Sequence, residues 1–154
     1  MYHRILVPVD GSKTSALGLQ EAIRLAAEQQ EKASLHLLHV VDDFPMLVEL
    51  ANVVAYNNAL HTLREYGEKL LSDSQALAAK ADVKAEVALR EVTGGRAASI
   101  VLAEAKATGC DLIVMGTHGR RGFSRLTLGS DAELVARGSP VPVLLVRHPG
   151  QEPA

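Results

Sequence analysis

Apolar positions recur along this chain with two alternating periods. RILVPVD, residues 4–10, is mostly apolar and ends in Asp10-Gly11, which reads as a strand closed by a turn. SKTSALGLQEAIRLAAEQQEK then sets Ala16, Leu19, Ile23, Ala26 and Ala27 on one helical face. SLHLLHVVDD supplies a second strand over 34–41. From about Asn58, Leu60, Leu63, Gly67, Leu70, Leu71, Ser74 and Leu77 repeat at helical spacing. FPMLVELANVVAYNN before them is apolar without that phase and reads as a loop leading into the helix. DVKAEVALREV alternates, with Val83, Ala85, Val87 and Leu89 on one side and Lys84, Glu86 and Arg90 on the other. That is a strand with one wet face. GRAASIVLAEAKATG turns Ala97, Ile100, Val101 and Ala105 inward and stops at Gly109. CDLIVMG is a strand over 110–115, SDAELVARG a short helix, and VPVLLVRH the last strand, over 141–147.

Strands alternating with helices predict an α/β fold: a five-stranded parallel sheet with helices on both faces. The strands at 4–10, 34–41 and 110–115 are nearly all apolar and belong in the centre. The alternating strand at 82–91 belongs at an edge, and Pro140 and Pro142 push the last strand to the other edge. Right-handed crossovers then give the order 3-2-1-4-5. The winding reverses between strands 1 and 4, and such a crevice is where open α/β sheets take ligands. Asp10 ends the first strand and a glycine-rich segment leaves the fourth, so two polar segments meet there.

Composition narrows the choice little. The chain has 154 residues, 47% apolar and 22% charged, with a formal charge of −2. This suits one domain, expected over 1–148, with PGQEPA at 149–154 as a disordered tail. Nothing calls for a nucleic-acid surface, and no apolar run is long enough to cross a membrane. A cytoplasmic protein is expected. The lone Cys110 excludes an intrachain disulfide and reads as a small core residue. His3, His36, His39, His61 and His148 show no metal spacing and read as structural or surface groups, and Tyr56 and Tyr66 as packing groups.

The segment GTHGRRGFSRLTLGSDAE, from Gly116 to Glu133, carries the candidate chemistry. Its glycines let main-chain N–H groups converge and let a ligand approach closely. Gly129-Ser130 opens a helix whose positive end favours an anion, and Arg120, Arg121 and Arg125 add charge. A polyphosphate cradle explains these features together. Neither a P-loop nor a dinucleotide fingerprint occurs. Ser130 and Glu133 also spell a capping box, so helix cap and phosphate contact stand as equal readings of Ser130. Asp10-Gly11 is equally read as a plain turn, and Arg121 and Arg125 as solvated charges. His118, between Thr117 and Gly119, is no core histidine and faces either ligand or solvent.

Gly116, Gly119, Gly129 and Ser130 fit the pattern G-x-x-G-x9-G-[ST] without a gap. With ILVPVDGS, LLHVVD, GCDLIVMGTHGRRG and SPVPVLLVRH in order, nearly the whole chain resembles the nucleotide-binding branch of the universal stress protein family. The resemblance implies a Rossmann-like 3-2-1-4-5 sheet binding ATP, with Mg²⁺ or Mn²⁺. It implies that Pro8, Val9 and Asp10 line the adenosine end, Val40 contacts the adenine and Met115 closes the base pocket. Gly116, Thr117, His118, Gly119, Arg120, Arg121 and Gly122 would follow ribose and phosphates, and Gly129, Ser130 and Asp131 would hold the outer phosphates. Asp131 departs from the small apolar residue common there. Two unit charges ~5 Å apart repel by about 3 kcal/mol at an effective dielectric near 20, so Asp131 is expected to turn to solvent.

The implied role is a nucleotide-dependent regulatory or stress-response module, at most a weak ATPase, read by an unidentified protein partner. Its apolar edge strand at 141–147 would pair with a second copy in a homodimer. Two other classes stand beside this one. One is an interaction protein of the same fold without nucleotide. The other is a phosphoacceptor domain using Asp10, which would need further acidic residues for a metal, whereas the position two residues on is Ser12.

Overall fold

A computed structural model describes residues 1–43, 52–118 and 128–148. In chain order it contains β1 (Arg4–Pro8), α1 (Lys13–Glu28), β2 (Ser34–Asp42), α2 (Val53–Lys80), β3 (Ala85–Val92), α3 (Ala97–Thr108), β4 (Leu112–Gly116), α4 (Ser130–Gly138) and β5 (Val143–Val146). The strands form one parallel sheet in the order β3-β2-β1-β4-β5, as expected.

The alternation within each strand sorts side chains onto two layers. Ile5, Val7, Leu35 and Leu37 pack under α1 and α2, with Leu19, Ala22, Ile23 and Leu71. Leu6, Leu38, Ile113 and Met115 pack under α3 and α4, with Ala98, Val101, Ala132 and Val135. Each fully buried aliphatic side chain contributes about 1.5–3 kcal/mol, and the central strands supply most of them. Cys110 is buried just before β4, and burial pushes its thiol above the ordinary range. Gly109 stops α3 in the left-handed region, at φ +65°.

Four expectations need correction. The long helix begins at Val53, not near Asn58, because the Asn52 side chain accepts the N–H groups of Val54 and Ala55. Val53 and Val54 are 73% and 66% exposed, so no inward stripe marks that turn. Ala16 and Leu77 are exposed; the buried face of α1 runs through Thr14, Ser15, Gly18, Leu19, Ala22, Ile23 and Ala26, and that of α2 includes Ala78. β3 does not have one dry and one wet face, because α2 and α3 each cover part of one side: Val87 is exposed on the side expected to be dry, whereas Ala88 and Val92 are buried on the side expected to be wet. Tyr56 does more than pack: its hydroxyl donates to Asp43 Oδ2 at 2.6 Å, a bond that raises its pKa.

His36 is buried, and its Nε2 lies 2.8 Å from Glu104 Oε1. Arg90 forks onto both oxygens of Glu104, at 2.9 and 3.0 Å. Burial raises the Glu104 pKa, and the bonds from His36 and Arg90 more than offset it, leaving a net lowering. Stability from this group is therefore present above the unfolded carboxylate value and lost as pH falls through the lower folded one. We expect Glu104→Gln to flatten the acid limb of a thermal-stability profile below about pH 4.5; an unchanged limb would contradict this.

β4 ends against α1 without an intervening side chain. A Cβ on Gly116 would lie 2.6 Å from the Thr14 carbonyl carbon and 2.9 Å from the Ser15 nitrogen. Gly18, one turn on, faces the Gly116 nitrogen from the helix side, at 3.2 Å from its own would-be Cβ. We expect Gly116→Ala to destabilise by about 2 kcal/mol through overpacking, lowering Tm by ~4–8 °C. A melting curve that superimposes on the wild type would refute the contact.

Candidate functional site

β1 and β4 are neighbours, but the chain leaves them toward opposite faces, to α1 and α4. Their carboxyl ends therefore open a crevice flanked by two helix N-termini.

The β1 side is a hydrogen-bonded turn. The Asp10 carboxylate accepts from the Ser12 N–H at 2.9 Å, and the Asp10 N–H donates to Ser15 Oγ at 3.1 Å. Ser12 caps α1, its Oγ accepting from the Ser15 N–H at 3.1 Å. Gly11 sits at φ +81°, and the Tyr66 hydroxyl occupies the place where its Cβ would be. The Val9 N–H donates to the Leu38 carbonyl at 2.8 Å. The Val9 carbonyl lies 2.7 Å from His39 Nδ1. A carbonyl only accepts, so Nδ1 carries the proton. His39 is 5% exposed, with Tyr66 edge-on to its ring at 6.1 Å.

The β4 side is a clasp. The Thr117 N–H donates to the Val146 carbonyl at 3.0 Å, and the Thr117 carbonyl accepts from the Gly129 N–H at 2.8 Å. This ties the segment leaving β4 to the residue opening α4. Thr117 Oγ1 also lies 3.0 Å from His118 Nδ1. The Thr14 hydroxyl of α1 donates to the His118 carbonyl.

The capping-box reading of Ser130 is wrong. Gly129 is the N-cap of α4, Ser130 is its first helical residue, and among the described residues no side-chain cap bond is made there. The Ser130 side chain is exposed and its hydroxyl is free of that duty. Asp131 does not point simply to solvent. Its Oδ1 accepts from the Ala98 N–H at 3.3 Å, at the N-terminus of α3, whose own N-cap residue Arg96 makes no side-chain cap bond. One carboxylate thus serves two positive helix ends. The sequence hides this because the donor lies 33 residues away.

Pro8, Val9, Asp10, Met115, Gly116, Thr117, His118, Gly129, Ser130 and Asp131 all fall on this edge of the sheet. Val40 lies on β2, opposite Arg90 of β3, packed against the cluster under α3. Gly119, Arg120, Arg121 and Gly122 lie outside the described residues. Gly11, His39 and Tyr66, read as turn, structural and packing groups, are also site neighbours, as are Thr14 and Ser15, whose only signal in the sequence is the hydroxyl run SKTS after Asp10-Gly11. Among the described residues no three His, Cys, Asp or Glu side chains gather to hold a metal ion. Asp10 spends its carboxylate on the turn, which is not the acidic cluster a phosphoacceptor requires.

The model of the Universal stress protein family matches residues 1–147. The chain belongs to the universal stress protein family. Universal stress protein MJ0531 of Methanocaldococcus jannaschii is 34% identical over 152 residues, covering 99% of this chain and 86% of that one. The solved structure of MJ0577 from the same organism superimposes with a TM-score of 0.85 at 26% identity, covering 97% and 99% of the two chains. A universal stress protein solved in complex with cAMP superimposes with a TM-score of 0.61 at 25% identity, covering 95% and 97%. Among the described residues of this family member, no helix is long and apolar enough to cross a membrane.

Asp131→Ala should cost about 1 kcal/mol, the usual price of a lost N-cap acceptor, and Asp131→Asn should recover most of it. Denaturant unfolding of the two variants checks this, and equal stability of Asp131→Ala and wild type would contradict the cap.

Proposed function

We propose that this protein binds an adenine nucleotide, ATP with Mg²⁺ or Mn²⁺, in the crevice between the ends of β1 and β4, and acts as a nucleotide-dependent regulatory module with slow or no hydrolysis. The observation that carries this reading is the N-terminus of α4. Among the described residues no side chain caps it, Ser130 is exposed, and Asp131 turns its charge to Ala98. Beyond the Gly129 N–H, which the Thr117 carbonyl takes, that end keeps the N–H groups of Ser130 and Asp131 for an anion brought by a ligand. The cAMP complex of a relative supports the adenine nucleotide class, and the G-x-x-G-x9-G-[ST] spacing supports a longer phosphate chain.

In this reading Pro8, Val9, Asp10 and Val40 hold the adenosine end and Met115 closes the base pocket. Residues 116–122 follow ribose and phosphates, and the amides of Ser130 and Asp131 with the Ser130 hydroxyl hold the outer phosphates, while the Gly129 N–H stays bonded to the Thr117 carbonyl and sets the head of α4. The Asp131 carboxylate, engaged with α3, does not oppose them. Nucleotide occupancy would order the crevice and present it to a protein partner in the cytoplasm. β5, half-buried along its length at the sheet edge, would pair with its copy in a homodimer, so sedimentation should give twice the chain mass.

Isothermal titration with ATP, with and without Mg²⁺ or Mn²⁺, tests the reading. Saturable heat at one site per chain is expected. Ser130→Ala should weaken binding about tenfold or more through the loss of a hydrogen bond to a charged group. No heat with any adenine nucleotide would leave an interaction protein of this fold as the better account.

A further inference from the structure

Thr14 occupies an inward position in the first turn of α1, 7% exposed, against the backbone of Gly116. A hydroxyl there costs free energy unless it is bonded. It donates to the His118 carbonyl, with Ser12 Oγ a looser neighbour at 3.4 Å. The bond adds a side-chain tie, beyond the backbone packing of Gly116 on α1, between the hydrogen-bond networks on the two sides of the crevice. On one side, Asp10 is tied to Ser15 and Ser12 in the α1 turn. On the other, the Thr117 carbonyl holds the Gly129 N–H at the head of α4.

We propose that Thr14 is the positioning residue of this crevice: its hydroxyl locks the exit of β4 onto the first turn of α1 and so fixes the Thr117–Gly129 clasp relative to Asp10. The ligand half of this inference rests on the nucleotide reading above; the lock itself is a property of the protein alone. A methyl-bearing isostere fills the same space without the donor, so Thr14→Val breaks the lock while keeping the packing. Thr14→Ser keeps the donor.

Amide exchange followed by NMR on the full chain, paired with ATP titration, separates the two halves. The Gly129 amide reports the clasp, and the Leu35 amide, in the buried strand β2 and bonded to the Lys84 carbonyl at 2.8 Å on the far side of the sheet from the crevice, reports the stability of the rest of the sheet. In Thr14→Val, Gly129 should exchange about tenfold faster with Leu35 unchanged, and ATP should bind about tenfold more weakly, as for one lost hydrogen bond. Thr14→Ser should restore both. Unchanged Gly129 exchange, equal acceleration at Leu35, or failure of Thr14→Ser to restore Gly129 would overturn the lock. Selective acceleration at Gly129 with undiminished ATP affinity would overturn its role in positioning the ligand. Selective acceleration with no ATP heat even in the wild type would uphold the lock and bring down the nucleotide reading.

Discussion

The end of β4 and the first turns of α1 touch backbone to backbone. Gly116 and Gly18 make this contact possible, because neither puts a Cβ between the strand and the helix. It sets the width of the crevice and seats Thr14 against the residues that leave β4. It also gives the first glycine of the G-x-x-G-x9-G-[ST] pattern a reason that needs no ligand: any larger residue there would push α1 off the sheet. A glycine that the ligand pattern calls for is here needed first by packing.

Around that contact, the polar groups divide between holding the fold and facing the crevice. Asp10, Ser12 and Ser15 satisfy one another in the α1 turn, and His39 holds the Val9 carbonyl from below. Asp131 stabilises α3 from the first turn of α4. The positive end of α4 is left with main-chain donors and the Ser130 hydroxyl. A helix end so placed attracts an anion through fixed dipoles that need no rearrangement. This division lets one edge of a small sheet be both well satisfied internally and receptive to a charged ligand.

Much of the fold was legible because burial in a parallel sheet is written into composition. The runs at Ile5–Val7 and Leu112–Met115 are apolar without interruption, Leu35–Leu38 is broken only by the buried His36, and these are the central strands. What escaped was set by contacts distant in sequence or by exposed apolar residues. Val53 and Val54 carry no inward phase, so the start of α2 depended on the Asn52 cap. Thr14 and Ser15 are buried hydroxyls, which moved the inward face of α1 away from Ala16. Ser130 reads as a cap by spacing, but Gly129 takes that position. The partners of Thr14 and Asp131 lie 104 and 33 residues away, beyond the reach of any local pattern.

The central claim is that the ends of β1, β4 and α4 receive a single phosphate-bearing ligand. The most direct test is a ¹H–¹⁵N spectrum of the protein titrated with magnesium ATP. Saturable shifts are expected at Asp10, Thr117, His118, Gly129 and Ser130, with the amides of β3 and the carboxyl end of α2 unmoved. Shifts confined to other surfaces, or a spectrum unaltered at saturating nucleotide, would contradict it.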